Sequence, residues 1–264
     1  ATATTGDITD SGTLTITGAS IFTTRVGGSN IVLDSSGNAF AAAVTMKADT
    51  GGDETFGNIT FVDSAAVKLH SSAGTNGDLF IDAGTDLAVG GNLSITATTG
   101  NITQGSEVAV TGTTTLVTSA NDATITLNDA DNAFTGALTI TTNDNSGTDA
   151  AVIIDGGTTA LIVAASTIDG DLTLTSGATA GITDSGTVTV GGDLAATTDA
   201  GNGVIDMDTL AVDGSIALVT DGNGAATVVN TAAIEFAAST VRGALTATAT
   251  TGDITDSGTL TITG

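Results

Sequence analysis

Aspartate is the residue through which this chain could do chemistry. It gathers in short runs: Asp7 and Asp10 in "GDITDSG", Asp129 and Asp131 in "LNDADN", Asp144 and Asp149 in "NDNSGTD", Asp206 and Asp208 in "VIDMD". Calcium takes oxygen ligands of this kind, about six to eight at a time. Neither the tandem G-G-x-G-x-D signature of calcium-loaded solenoids nor the EF-hand loop with its closing Glu occurs. The runs therefore read as solvated turns, where an Asp side chain bonds nearby backbone. No metal ligand is assigned. Calcium is the one ion these turns would suit, and a diffuse cation cloud drawn by the summed field is favoured over any discrete site.

Paired carboxylates also hydrolyse glycosidic bonds, and some parallel β-helices cleave polysaccharides. A sugar site usually adds stacking aromatics, and Trp and Tyr are absent. A lyase needs a base, and the cations are only Arg25, Lys47, Lys68 and Arg242. His70 is the sole histidine; a lone His is far more often an ordinary surface residue than a catalyst, and no Ser-His-Asp arrangement can be argued. No catalytic and no cofactor-binding residue is assigned, and the chain is read as not an enzyme. Threonine recurs as T-x-T at Thr13/Thr15/Thr17, Thr124/Thr126, Thr173/Thr175 and Thr187/Thr189. Ranks of this kind on a flat solenoid face would bind ice, whereas Thr also simply suits outward strand positions. Asn58, Asn92 and Asn101 each open an N-x-S/T acceptor pattern for glycosylation.

The charge balance excludes several partners. Four Lys and Arg stand against 29 Asp and Glu, a formal charge of −25. Nucleic acid and anionic membrane surfaces both need the opposite sign. No apolar run reaches transmembrane length. Glu54, Glu107 and Glu235 are the only glutamates, so the acidity is nearly all Asp, a turn former, and should sit at corners. Apolar residues make up 40% and alternate with polar ones, so the chain should fold despite its charge. With no Cys there is neither a disulfide nor a thiolate metal site.

The elements that must position these groups are repeats. "GDITDSGTLTITG" at Ile8 returns as "GNITQGSEVAVTG" at Ile102, "AGITDSGTVTVGG" at Ile182, and unchanged at Ile254. Residues 1–18 and 247–264 are identical. Three unequal sub-repeats follow, 6–99, 100–179 and 180–251, with 247–264 starting the next 246-residue period. Residues 6–46 align without a gap on 100–140, which sets "SSGNAF" on "DADNAF" and Phe40 on Phe134. Inside lies a shorter period: "TVTVGGDLAATTDAGN" (187–202) falls on "TLAVDGSIALVTDGNG" (209–224) at an offset of 22. Alternation at period two, rich in Thr, Val and Ile, means half-buried strands. Gly, Asn and Asp at the breaks supply corner geometry, and no capped 3.6-residue period appears.

These features predict an all-β parallel β-helix, one continuous solenoid over 1–264 with essentially no helix. It should have about 11–12 coils, a rod of about 50–55 Å. A β-sandwich is the alternative. The extra length of the first sub-repeat should lie beyond Met46, as a bulge around 47–57. The two eighteen-residue copies should occupy equivalent coils at opposite ends of the rod, related by translation and a modest twist, with ladders open to continue.

The run "DNAFTGALTIT" (131–141), with "ASTIDGDLTLT" and "GITDSGTVTV", resembles the repeat region of filamentous-haemagglutinin-like exoproteins and giant bacterial β-strand-repeat surface proteins. The resemblance implies a right-handed winding and a role as the shaft of an exported bacterial fibre or adhesin, extracellular or on the cell surface. Its partner would be itself, by head-to-tail continuation and lateral rod contacts. A binding module for ice or carbohydrate is the competing class.

Overall fold

The computed structural model describes residues 1–48, 57–70, 78–81, 87–143 and 150–264. Among these residues every regular element is a β-strand, from two to eight residues long. Strands pair in parallel into two long sheets of 15 and 13 strands and two small ones of three and two. The chain is a β-solenoid of about ten coils. Strands Thr2–Ala3 and Ile8–Thr9 stand at one end, and Leu245–Ala249 and Ile254–Asp256 at the other.

Alternation builds the interior. One inward column runs Ile125, Val152, Leu172, Leu194, Ile216, each residue stacked on the equivalent one in the next coil and each buried. A fully buried side chain of this size contributes about 1.5–3 kcal/mol. The 22-residue offset is the physical register: Val188 pairs with Leu210, Val190 with Val212 and Leu194 with Ile216, and the Gly214 N–H donates to the Gly192 carbonyl at 3.1 Å. Phe40 and Phe134, aligned in sequence, both close two-residue strands and are both buried. Phe22, Phe40 and Phe61 form an aromatic cluster in the early coils, with ring centroids 6.4 and 5.1 Å apart.

The coils number fewer than the expected 11–12 because two are oversized. Ile59 lies 28 residues after its partner Ile31, and Leu93 lies 34 after Ile59. Beyond Leu93 the step runs from 19 (Ala226 to Leu245) to 27 (Ile125 to Val152). Part of the excess is a strand out of chain order: Asp78–Ile81 sits between Val44–Ala48 and Val67–His70. The bulge expected at 47–57 falls mostly on 49–56, outside the described residues.

The expected translation between the terminal copies needs correcting. Ile8 pairs with Ile31 in the 13-stranded sheet, whereas Ile254 pairs with Ile234 in the 15-stranded one. The interior copies alternate likewise, Ile102 in the 15-stranded sheet and Ile182 in the 13-stranded. A sub-repeat is therefore not a whole number of coils, and each hands its motif to the other long sheet. The local conformation is nonetheless kept. Gly6, Gly100, Gly181 and Gly252, which lead into the four motifs, all hold positive φ (77°, 93°, 68° and 82°), a region glycine enters without steric cost.

Candidate functional site

The polar side chains that the fold brings together bind coil to coil. Three sets recur. At the outer corner, an amide or carboxylate oxygen accepts the backbone N–H of the equivalent residue one coil on. Asp7 accepts from Asn30, Asn30 from Asn58, Asn58 from Asn92 and Asn92 from Thr113, each at 2.8 Å. Asp171 and Asp193 continue the device toward Asp193 and Ser215. The acceptor-pattern residues Asn58, Asn92 and Asn101 thus all use their amide oxygens as ladder acceptors and are exposed.

At the inner corner, a buried polar residue caps a strand N–H of the preceding coil. Asn38 accepts from Leu14, Asn132 from Val108, Ser166 from Ile140 and Ser239 from Leu218, at 2.8–3.0 Å. Asn230 does the same for Val212. Asp63 takes this place for Phe40 at 3.3 Å and is 1% exposed. Burial pushes its carboxyl above the usual carboxylate range, against backbone hydrogen bonds from Phe40, Ala65 and Ser64. Buried Thr24, Thr118, Thr198 and Thr220 lock their own corners by donating to a carbonyl four or five residues on.

The third set is the motif position after "IT". Asp10 accepts from the Asp34 and Ser35 N–H groups, both at 3.2 Å, and from Asn38 Nδ2 at 2.7 Å. Partial burial pushes Asp10 up, but these bonds prevail and leave its carboxyl below the usual range. Gln104 accepts from the Asp129 N–H and bonds Asn132 through both ends of its amide. Asp184 holds the Asp208 and Thr209 N–H groups and the Thr209 hydroxyl. The carboxylate of Asp256, the fourth equivalent, accepts no hydrogen bond among the described residues, although its backbone pairs with Phe236. Ile254 beside it is 50% exposed, while Ile102 and Ile182 are 0%.

Asp7, Asp10 and Asp129 are thus structural acceptors, the last for the Asp131 N–H at 3.0 Å. Asp206 and Asp208 face outward on the strand Ile205–Val212. Asp144 and Asp149 lie outside the described residues. Among the described residues no three His, Asp or Glu side chains converge to hold a metal ion. Asp193, Asp213 and Glu235 line a shallow open groove with Ser215, but Asp193 Oδ1 already accepts from both the N–H and the hydroxyl of Ser215. Arg25, Lys68 and Arg242 are exposed and scattered along the rod, and Lys47 is half-buried. His70 ends the strand Val67–His70, its backbone paired with Phe80. The T-x-T pairs are not gathered on one face. Thr126 and Thr173/Thr175 lie in the 15-stranded sheet, Thr189 in the 13-stranded and Thr15 in the two-stranded, with Thr124 and Thr187 just before their strands. One outward rank reads Thr126, Ile153, Thr173, Ala195, Ala217, so its hydroxyls are interrupted.

The inner-corner clasps escaped the sequence reading, although the alignment of "SSGNAF" on "DADNAF" already set Asn38 on Asn132. Recurring coil-to-coil bonding is a repeat property, and residues 1–47, 75–141 and 222–264 match the family described as repeats of unknown function (DUF5649). The chain belongs to this family. The DUF5649 segments take in the motifs at Ile8, Ile102 and Ile254 and more than half of the chain. No curated protein and no solved structure matches it.

Proposed function

We propose that the chain is a structural shaft segment of an extracellular fibre or giant adhesin. Its work is to hold a fixed separation and carry load along one axis. The observation that carries this reading is the pair of long parallel ladders running from the first coil to the last, with the two eighteen-residue copies at their opposite ends. Stability in such a rod is a sum of coil and coil-to-coil terms, and the clasps supply the second. The charge of −25 keeps neighbouring rods apart. The likeness to filamentous-haemagglutinin-like repeats supports the extracellular setting.

The test is a length measurement. Polypeptides carrying one and two 246-residue units should differ in length by about 48 Å, ten coils at about 4.8 Å each, in small-angle scattering or electron micrographs. A second unit that folds back, adding thickness and no length, overturns the reading. Labelling of intact cells with an impermeant reagent tests the location.

A further inference from the structure

The outer side of the 13-stranded sheet carries hydroxyls that the fold does not use. Pairing in unbroken register stacks Thr60, Ser94, Thr115 and Thr139 in four successive coils. The neighbouring outward column takes over on the strand Leu138–Thr141 and runs Thr141, Thr167, Thr189. All seven residues are half-buried or exposed, and none of their hydroxyls has a hydrogen-bond partner among the described residues. Together they span six coils, about 24 Å at about 4.8 Å per step. No Asp, Glu, Lys or Arg stands at an outward position of these six strands, since the Asp63 side chain is buried. On a chain of formal charge −25 this is a neutral window. The outward rank of the 15-stranded sheet, by contrast, is broken by Ile153, Ala195 and Ala217.

We propose that this face of the 13-stranded sheet binds ice, its ligand being the ordered water of a crystal surface. A face without charge gives an ionic ligand nothing to pair with, and one without an outward aromatic gives a sugar ring nothing to stack on. What it does present is a regular row of groups that each donate and accept, as water does. Hydrogen-bonded waters lie about 2.8 Å apart, so two waters sharing one tetrahedral neighbour lie about 4.5 Å apart. The coil step is about 4.8 Å. The mismatch of about 0.3 Å per coil sums to about 0.9 Å from Thr60 to Thr139. Centred on the row, that is about 0.45 Å at either end, within the roughly 0.5 Å over which O–H···O distances range. The Thr methyls, with Val62 and Val117 in the second column, add no competing polar group, so water beside them orders on itself. Each hydroxyl alone binds weakly, but a crystal face meets the whole row at once. The inference is independent of the shaft reading and adds a surface along the rod's flank.

The test is partition of the full chain into slowly grown ice, which excludes ordinary solutes. The chain should be taken up and should slow the coarsening of crystals in a frozen film. Thr115→Tyr, mid-row, should lower uptake at least about ten-fold, because a ring standing off the face lifts the neighbouring hydroxyls from the lattice. Ser94→Lys, which sets a hydrated charge in the same row, should do likewise and serves if the tyrosine variant fails to fold by circular dichroism. Thr173→Tyr, outward on the 15-stranded sheet, should leave uptake within about two-fold. Exclusion of the unaltered chain from ice overturns the proposal, and so does an equal loss in Thr115→Tyr and Thr173→Tyr. Retention on a neutral polysaccharide that Thr115→Tyr abolishes, without uptake into ice, makes the face a carbohydrate site and overturns it too. None of these substitutions alters the length of the rod in scattering, so the shaft reading stands or falls separately.

Discussion

Replacing Asn132 with leucine tests whether the buried clasps, and not the apolar column alone, hold coil to coil. Asn132 is 1% exposed and joins three levels of the rod. Its Oδ1 accepts from the Val108 N–H at 2.8 Å and from Gln104 Nε2 at 2.9 Å, one coil back. Its Nδ2 donates to the Leu127 carbonyl in its own coil and to the Asp155 carbonyl one coil ahead, at 3.3 and 3.0 Å. Leucine has nearly the same volume, so packing changes little and the loss is polar. The Val108 N–H is orphaned in a dry corner, at about 1–3 kcal/mol. The carbonyls each lose one of two possible partners, a smaller penalty. The expected total is about 2–4 kcal/mol.

With neither Trp nor Tyr in the chain, unfolding in urea is best followed by circular dichroism. A solenoid loses stability locally, so hydrogen exchange should quicken first at Val108 and the coils beside it. Asn92→Ala is the control: Asn92 is exposed, water replaces it at the Thr113 N–H, and the cost should stay below about 1 kcal/mol. If Asn132→Leu costs less than about 1 kcal/mol, or no more than the control, the clasps are incidental and the reasoning fails.

Four further outcomes follow from the same geometry. Ile182→Ala, at a fully buried position, should cost about 2–5 kcal/mol in urea unfolding, and Ile254→Ala, half exposed at the equivalent position, no more than about 1; equal costs in the monomer would contradict the packing described. Thr114→Val should stabilise by about 1 kcal/mol, because the buried Thr114 hydroxyl has no partner in a rank otherwise made by Leu93 and Leu138; a lower urea midpoint would show the hydroxyl to be satisfied. Asp63 has its folded pKa above the unfolded one, so the native state binds more protons between the two values, and its contribution to stability falls as pH rises through that window; Asp63→Asn should raise the melting temperature at pH 7 but not well below the unfolded pKa, and an equal rise at both would refute the assignment. At fixed ionic strength, exchanging calcium for sodium should leave the melting temperature unchanged, whereas a sharp fall on adding chelator would require a discrete calcium site.

The inward-outward pattern was legible in the sequence because period two fixes which residues face the core. The gapless 22-residue alignment even fixed partners, since Val188, Val190 and Leu194 found theirs one period on. What alternation cannot say is which sheet a strand joins. "ITQ" at 102–104 and "ITD" at 182–184 have the same pattern of burial and pair in different long sheets. Corners were legible in composition and not in direction. Asp10 was expected in a solvated turn, yet it holds the next coil, and Asp63, one of the many Asp residues expected at corners, is buried, because a corner residue's direction depends on backbone angles that its neighbours set. The clasps had a visible signal in the shared "NAF", whose asparagine recurs together with its phenylalanine.

The alternation of sheets has a consequence for any rod made of successive units. The motif passes from the 13-stranded sheet at Ile8 to the 15-stranded at Ile102, back at Ile182 and across again at Ile254. Three transfers are an odd number, so one 246-residue period ends with its motif on the opposite sheet from where it began. Two periods are needed to restore the facing. Whatever a unit carries on its flank then recurs on alternate sides: the exposed Ile21, the exposed Arg25 and Arg242, the acidic rank through Asp171 and Asp193. A flat ribbon of rods glued along one flank would need the same patch on the same side in every unit. A fibre with patches on alternating sides offers each neighbour only half of them. The unequal lengths of the sub-repeats, which in sequence look like lapses of regularity, thus set which long sheet carries each copy of the motif.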